Sequence, residues 1–184
     1  MTVSISLPNG ITVRTVTFWY PATHLGIDDW RVPLAMLFDD DLRPERRLLA
    51  APHSDLDRDL LAAPADGHPT RCAGGPLRLL DTAASGALAA HEAATRHDTW
   101  SATGRIGTRR PGRVETALLR SGRQDYMTYH RLRRVVGDAL IIMGAATWLY
   151  PADSRPQALL DHVHHATARL SGAEPDDVLV TVAA

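Results

Sequence analysis

Aromatic and β-branched residues crowd the segment Asp125 to Val136 (DYMTYHRLRRVV), and an even more apolar run, Ala139 to Tyr150 (ALIIMGAATWLY), follows it. Gly137-Asp138 stands between them. A Gly-X pair joining two such runs is the chemistry of a two-residue type II′ hairpin, because glycine accepts the positive φ of the first turn position. The pattern predicts two antiparallel strands. Alternation puts Tyr126, Thr128, His130, Leu132, Arg134 and Val136 on one face and Met127, Tyr129, Arg131, Arg133 and Val135 on the other. Neither face is wholly apolar. The partner strand is more apolar on both sides, which sets it nearer the sheet centre, and Gly144 within it marks a bulge or a close backbone approach.

The period then changes. Leu159, Leu160, Val163, Thr167 and Leu170 recur at helical spacing. Ser154-Arg155-Pro156-Gln157 before them fits a capping box, and Gly172 stands where a left-handed helix end is expected. The spacing predicts a helix over Ser154–Leu170 with one buried stripe, packed on a sheet. Val178–Val182 reads as a short strand. At the other end, Val3–Leu7 and Ile11–Tyr20 flank Pro8-Asn9-Gly10, a strong hairpin signal. Trp30–Phe38 is apolar but broken by Pro33. Asp55–Ala63 reads as a short helix, Leu77–Leu80 and Val114–Arg120 as strands. Pro64–Pro69, Ala73–Pro76 and Ser101–Gly112 read as loops. Ala83–His97 sets two principles against each other: alanine content favours helix, whereas Gly86 and the need for a sheet partner favour strand, the reading preferred here.

The expected fold is therefore α+β: a mainly antiparallel β-sheet with a C-terminal amphipathic helix packed on one face, in a single domain over residues 1–184. The chain of 184 residues is 45% hydrophobic with a formal net charge of -1, enough for a full core and without a global drive toward nucleic acid. A lone cysteine, Cys72, cannot form an internal disulfide, and no signal peptide or membrane-length apolar run is visible. A cytoplasmic location is expected.

Candidate chemistry is sparse. Zinc peptidases need His-Glu-x-x-His, but Thr95 stands four residues after His91. His91 and His97 lie about 240° apart on a helix, or on the order of 20 Å apart along a strand; neither geometry binds a metal. His162 and His165 could chelate at i, i+3 on the last helix, although a solvated helix face is the plainer reading. Cys72 has His68 nearby in sequence but nothing that holds a base beside it. No metal and no cofactor is expected. Arg105, Arg109, Arg110 and Arg113 could grip an anion, or simply keep a loop soluble; sparse aromatic interleaving argues against nucleic acid.

The most suggestive set is Tyr126, Thr128, His130 and Arg134 on one predicted strand face. Facing a cavity, they would place phenol, hydroxyl, imidazole and guanidinium together, with Asp28, Asp29 or Glu92 as a carboxylate. Tyr126, His130 and Arg134 are the catalytic candidates if the protein is an enzyme. Thr128, Trp148, Arg109 and Arg110 are ligand-binding candidates. Trp19, Trp30, Trp100, Trp148 and Met143 could line an apolar pocket or serve as plain core.

The arrangement Tyr126-x-x-Tyr129-His130-Arg131, Gly137-Asp138, Ala139–Met143 and the helix ending at Leu170 resembles the PsbP-like α/β sandwich superfamily, including its LpqN-type members. The resemblance covers roughly the last third of the chain. It implies a sheet flanked by helices and a binding or chaperone role rather than catalysis. Two function classes follow: a cofactor-independent protein holding a small apolar or anionic ligand or a protein partner, or a cofactor-free isomerase, cyclase or lyase. A homodimer is compatible with either.

Overall fold

The longest strands, β3 (Thr15–Tyr20) and β10 (Val178–Ala183), pair antiparallel through the middle of the molecule, from Val178 opposite Tyr20 to Ala183 opposite Thr15. The computed structural model describes residues 5–7, 9–23, 43–52, 60–61, 71–145 and 147–183. Before β3, β1 (Ile5–Ser6) and β2 (Thr12–Val13) form the expected hairpin, whose Asn9-Gly10 turn holds Gly10 at φ 78°. The predicted long strand Ile11–Tyr20 is split at Arg14. The elements that follow are β4 (Arg43–Pro44), β5 (Leu48–Leu49), β6 (Arg71–Cys72), β7 (Gly74–Pro76), a 3-10 turn (Leu77–Leu79) and helices α1 (Thr82–Thr103), α2 (Arg113–Arg120) and α3 (Arg123–Val136). The chain closes with β8 (Ala139–Ile142), β9 (Thr147–Leu149), α4 (Pro156–Leu170) and β10.

The main sheet is six-stranded in the order β4-β10-β3-β8-β9, with β7 also pairing β10. Strand β8 runs parallel to β3, while the other described strand pairings are antiparallel. The sheet is thus mostly antiparallel, and the protein has the expected α+β class. Alternation sorts β3 into two faces. Val16, Phe18 and Tyr20 join Ile141, Val180 and Val182 in a core closed by Leu7 and Val13 of the hairpin. The opposite face meets the helices: Leu140 packs with Tyr126, Tyr129, Val136, Leu160 and Val163, and Leu179 with Leu48, Leu80 and Val135. Helix α4 covers that face as its stripe predicts, burying Leu159, Leu160, Val163 and Ala166. Its first turn differs in detail. The N-cap is Arg155 with no side-chain cap, and Asp153 accepts a hydrogen bond from the Arg155 backbone N–H at 2.8 Å. Its C-cap, Ser171, is right-handed, so Gly172 is not used as a left-handed stop.

Several predicted strands are helices. Asp125–Val136 is α3, because Tyr126, Tyr129 and Val136 recur every three to seven residues and make one buried stripe that a two-faced strand would have split. Gly137 ends this helix at φ 72°, ψ -167°. The same positive φ that suits a hairpin turn serves here as a helix stop. The hairpin occurs one strand later: Ala139–Tyr150 folds back at Gly144 (φ 87°) into β8 and β9. Ala83–His97 belongs to α1, where alanine propensity prevails. Gly86, the argument for a strand, lets α3 approach: a Cβ there would lie 3.1 Å from Arg131 Cγ. Val114–Arg120 is α2, Leu77–Leu79 a 3-10 turn, and Gly74–Pro76 of the predicted Ala73–Pro76 loop is a strand. Trp30–Phe38 and most of Asp55–Ala63 fall outside the described residues.

At Gly74 a Cβ would lie 2.0 Å from the Leu179 carbonyl oxygen and 2.7 Å from Val180 Cα, both backbone atoms that cannot yield. Gly10 has a positive φ but open space around its Cβ position. Gly74→Ala should therefore cost more than about 4 kcal/mol or prevent folding, whereas Gly10→Ala should cost about 1–2 kcal/mol. Urea denaturation of the two variants checks this; equal costs would contradict it.

Candidate functional site

Among the described residues, two concavities open on the helical layer. The first is a groove of about 380 Å³ where the first turns of α1 (Thr82, Ala83, Gly86), the outer side of α3 (Arg131, Leu132, Val135) and the end of α4 (Thr167, Leu170, Ser171) converge beside Leu77. Its wall is mainly apolar and the Arg131 side chain lies along it. Thr167 Oγ1, on the α4 side, is buried without a hydrogen-bond partner. The second is a cleft of about 480 Å³ at the opposite end of α4, bounded by Tyr150, Pro151, Arg155, Gln157, Asp161, His162 and His165. Charged and polar side chains dominate it.

A third feature is a seam of polar groups where α1 and α3 pack. On α3, Tyr126, His130 and Arg134 follow at four-residue spacing. The Tyr126 and His130 rings meet edge to face at 4.4 Å, and Tyr129 contacts His130 at 5.3 Å. Tyr126 is fully buried and donates a hydrogen bond of 3.3 Å to Glu115 Oε1, whose other oxygen accepts one from Arg109 at 3.2 Å. His97 of α1 approaches Tyr126 at 6.0 Å. Glu92 and Arg96, one helical turn apart, face the same seam, and Glu92 pairs with Arg71 at 3.6 Å.

Burial sets the protonation states. It lowers the His130 imidazole to about 3, reinforced by the positive charges of Arg96, Arg133 and Arg47. It lowers His162 to about 4, against the opposing pull of Asp138 and a hydrogen bond to the Gly137 backbone. Both rings are neutral at physiological pH, and Nε2 of each is buried without a partner. Burial also pushes the Tyr126 and Tyr129 phenols up to about 12, so neither ionises near neutrality. The Cys72 thiol is buried and pushed up to about 11, which suits core packing and not nucleophilic attack.

The sequence candidates are thus partly united. Tyr126, His130 and Arg134 do share one side of an element, but on a helix packed against α1, and none of them lines either concavity. Thr128 is half-buried and separated from them by the helical turn. Trp148 packs against the sheet core on the far face, beside the Val16–Phe18 cluster. Arg109 is engaged by Glu115, and Arg110 is exposed in the loop before α2. Asp28, Asp29, Trp30 and His68 lie outside the described residues. Among the described residues no group of three or more His, Cys, Asp or Glu is placed to hold a metal ion, and no helix is long and apolar enough to cross a membrane. His162 and His165 both border the α4 cleft, one buried and one exposed. Sequence reasoning gave Arg96 and Arg131 no functional role, and placed Thr167 only in the buried stripe of the last helix. The available signal was helical spacing in α1 and α3, concealed by the strand reading. No protein-family model, curated protein or solved structure matches this chain.

The two neutral histidines make stability pH-dependent. Each has a folded-state value below the ordinary histidine range, so its contribution is complete above about pH 6.5. It is lost as pH falls toward 4 for His162 and toward 3 for His130, because the unfolded chain takes up protons first. The slope is up to about 1.4 kcal/mol per pH unit for each ring. NMR should show both rings still neutral at pH 5, and His162→Gln should flatten the slope. Titration of either ring near 6.5 would contradict the assignment.

Proposed function

We propose that this is a cofactor-independent binding protein that holds a small, largely apolar ligand in the groove between α1, α3 and α4. The groove itself supports the reading. Its volume of about 380 Å³ falls within the ordinary range of ligand pockets, and its wall combines Leu77, Leu132, Val135 and Leu170 with the buried hydroxyl of Thr167. Apolar walls supply affinity by removing surface from water, and a lone unsatisfied hydroxyl favours a ligand carrying one hydrogen-bonding group. A small molecule fits this concavity better than a protein partner, which would need a surface several times larger. The resemblance to the PsbP-like superfamily leads to the same class of function, although Tyr126–Arg131, which contributed to it, is helical.

In the catalytic alternative, Tyr126, His130 and Arg134 line neither of the two concavities described above. The binding reading has a direct test. N-phenyl-1-naphthylamine, an uncharged apolar fluorophore, should bind saturably with enhanced emission. Ala83 is exposed on the groove rim, so Ala83→Trp should fill the groove without disturbing the core. It should weaken binding at least about tenfold, or ~1.4 kcal/mol, while leaving the melting temperature within about 2 °C. Undiminished binding by a folded Ala83→Trp protein would refute the assignment.

A further inference from the structure

Of the side chains that line the groove between α1, α3 and α4, only that of Arg131 is charged. Its stem lies against α1 at Gly86, where a Cβ would come within 3.1 Å of Arg131 Cγ. The residue is exposed, and among the described residues no carboxylate pairs with it. Other arginines of the helical layer are paired: Arg109 with Glu115, Arg123 with Asp98 and Arg133 with Asp138. A cation beside the end of a helix often serves its last carbonyls. Here those of Thr167, Arg169 and Leu170 already accept the backbone N–H groups of Ser171, Gly172 and Ala173, and that of Ala168 accepts the Ser171 hydroxyl. Asp81, next to Thr82 of the groove, accepts the Ala84 N–H at 2.7 Å and does not line the groove. The remaining polar lining residues, Thr82, Thr167 and Ser171, are neutral.

We infer that the ligand of this groove is a small amphipathic carboxylate, with its tail against Leu77, Leu132, Val135 and Leu170 and its head on the Arg131 guanidinium. The inference rests on the reading of the groove as a ligand site and names the head group that site selects. A guanidinium presents parallel N–H donors that match the two oxygens of a carboxylate. An apolar wall removes the tail from water, while the exposure of Arg131 keeps the ion pair at the water's edge, so neither charge is fully desolvated. No acidic side chain lines the groove to oppose the anion. Charge at the head therefore sets specificity: a neutral head on the same tail lacks the charge-assisted bonds, and a cationic head meets like charge.

Displacement of bound N-phenyl-1-naphthylamine at pH 7.5 tests the assignment, using octanoate, 1-octanol and octylammonium below their aggregation concentrations. The three share one tail and differ in head charge. Octanoate, ionised at this pH, should displace the dye at a concentration at least about tenfold lower than 1-octanol, and octylammonium should be the weakest. Added NaCl should narrow the gap between octanoate and 1-octanol. Arg131→Gln keeps the stem that packs at Gly86 and should bring octanoate and 1-octanol within about twofold of each other. Arg131→Lys, which retains the charge without the fork, should keep a smaller preference for octanoate. Dye binding without a preference for octanoate, or a full preference in the Arg131→Gln protein, would overturn the carboxylate assignment and leave the groove as a site for neutral ligands. Absence of dye binding by the parent protein would remove the groove reading and this inference together.

Discussion

Asp138 stands at the junction between the helical layer and the sheet. Its carboxylate accepts the Arg133 guanidinium from the last turn of α3 and, through Oδ2, the backbone N–H groups of Arg14 and Thr15 at 3.2 and 3.1 Å. Its own N–H donates to the Thr15 carbonyl at 2.9 Å. Arg47 completes the junction by donating to the Arg133 carbonyl at 2.8 Å, an oxygen that also accepts the Gly137 N–H at 2.9 Å. Thr17, inside the sheet, donates to the Val135 carbonyl at 2.9 Å. Burial alone would raise the Asp138 carboxyl, but the Arg133 charge and hydrogen bond outweigh it and hold it at about 2. The carboxylate is therefore ionised throughout the physiological range, and its contribution disappears only as pH falls below the ordinary carboxylate value toward 2.

Once the end of α3 is fixed, its remaining surfaces have defined roles. Tyr126, Tyr129 and Val136 enter the core with Leu140, Leu160 and Val163. Arg131, Leu132 and Val135 form one wall of the groove. His130 and Arg134 face the seam with α1. The small side chains of α1, Ser85, Gly86, Ala89 and Ala93, are buried and permit the close approach that creates both features. Groove and seam are thus products of one helix pairing, and a shift of α3 along its axis would disturb both.

The sequence made some of this visible. Helix α4, the β1–β2 turn, the C-terminal strand and the α+β class were legible because propensity, spacing and turn chemistry agree there. Helix α3 was not. Gly137-Asp138 satisfies a hairpin turn and a helix stop equally well, and the arginines at 131, 133 and 134 obscure the helical stripe. Helix α1 was missed because Gly86 was taken as an interruption when its role is to allow contact. Tyr126, His130 and Arg134 were expected along one face of a strand, and the helix overturns that basis: they follow one another at four-residue spacing on α3, and Thr128, two residues from each neighbour, is turned away from them. The groove was illegible because it depends on three helices whose mutual packing no local pattern encodes.

The claim that most of this rests on is that the Arg133–Asp138 pair fastens α3 to the sheet. A double-mutant cycle measures it directly, comparing urea denaturation of Arg133→Met, Asp138→Ala and the combined variant at pH 7. Each single change should cost about 3–5 kcal/mol by stranding its partner, and the double variant should cost far less than their sum, with a coupling of about 2–3 kcal/mol. Single-variant costs that add within about 0.5 kcal/mol would show that the pair does not hold the two layers together.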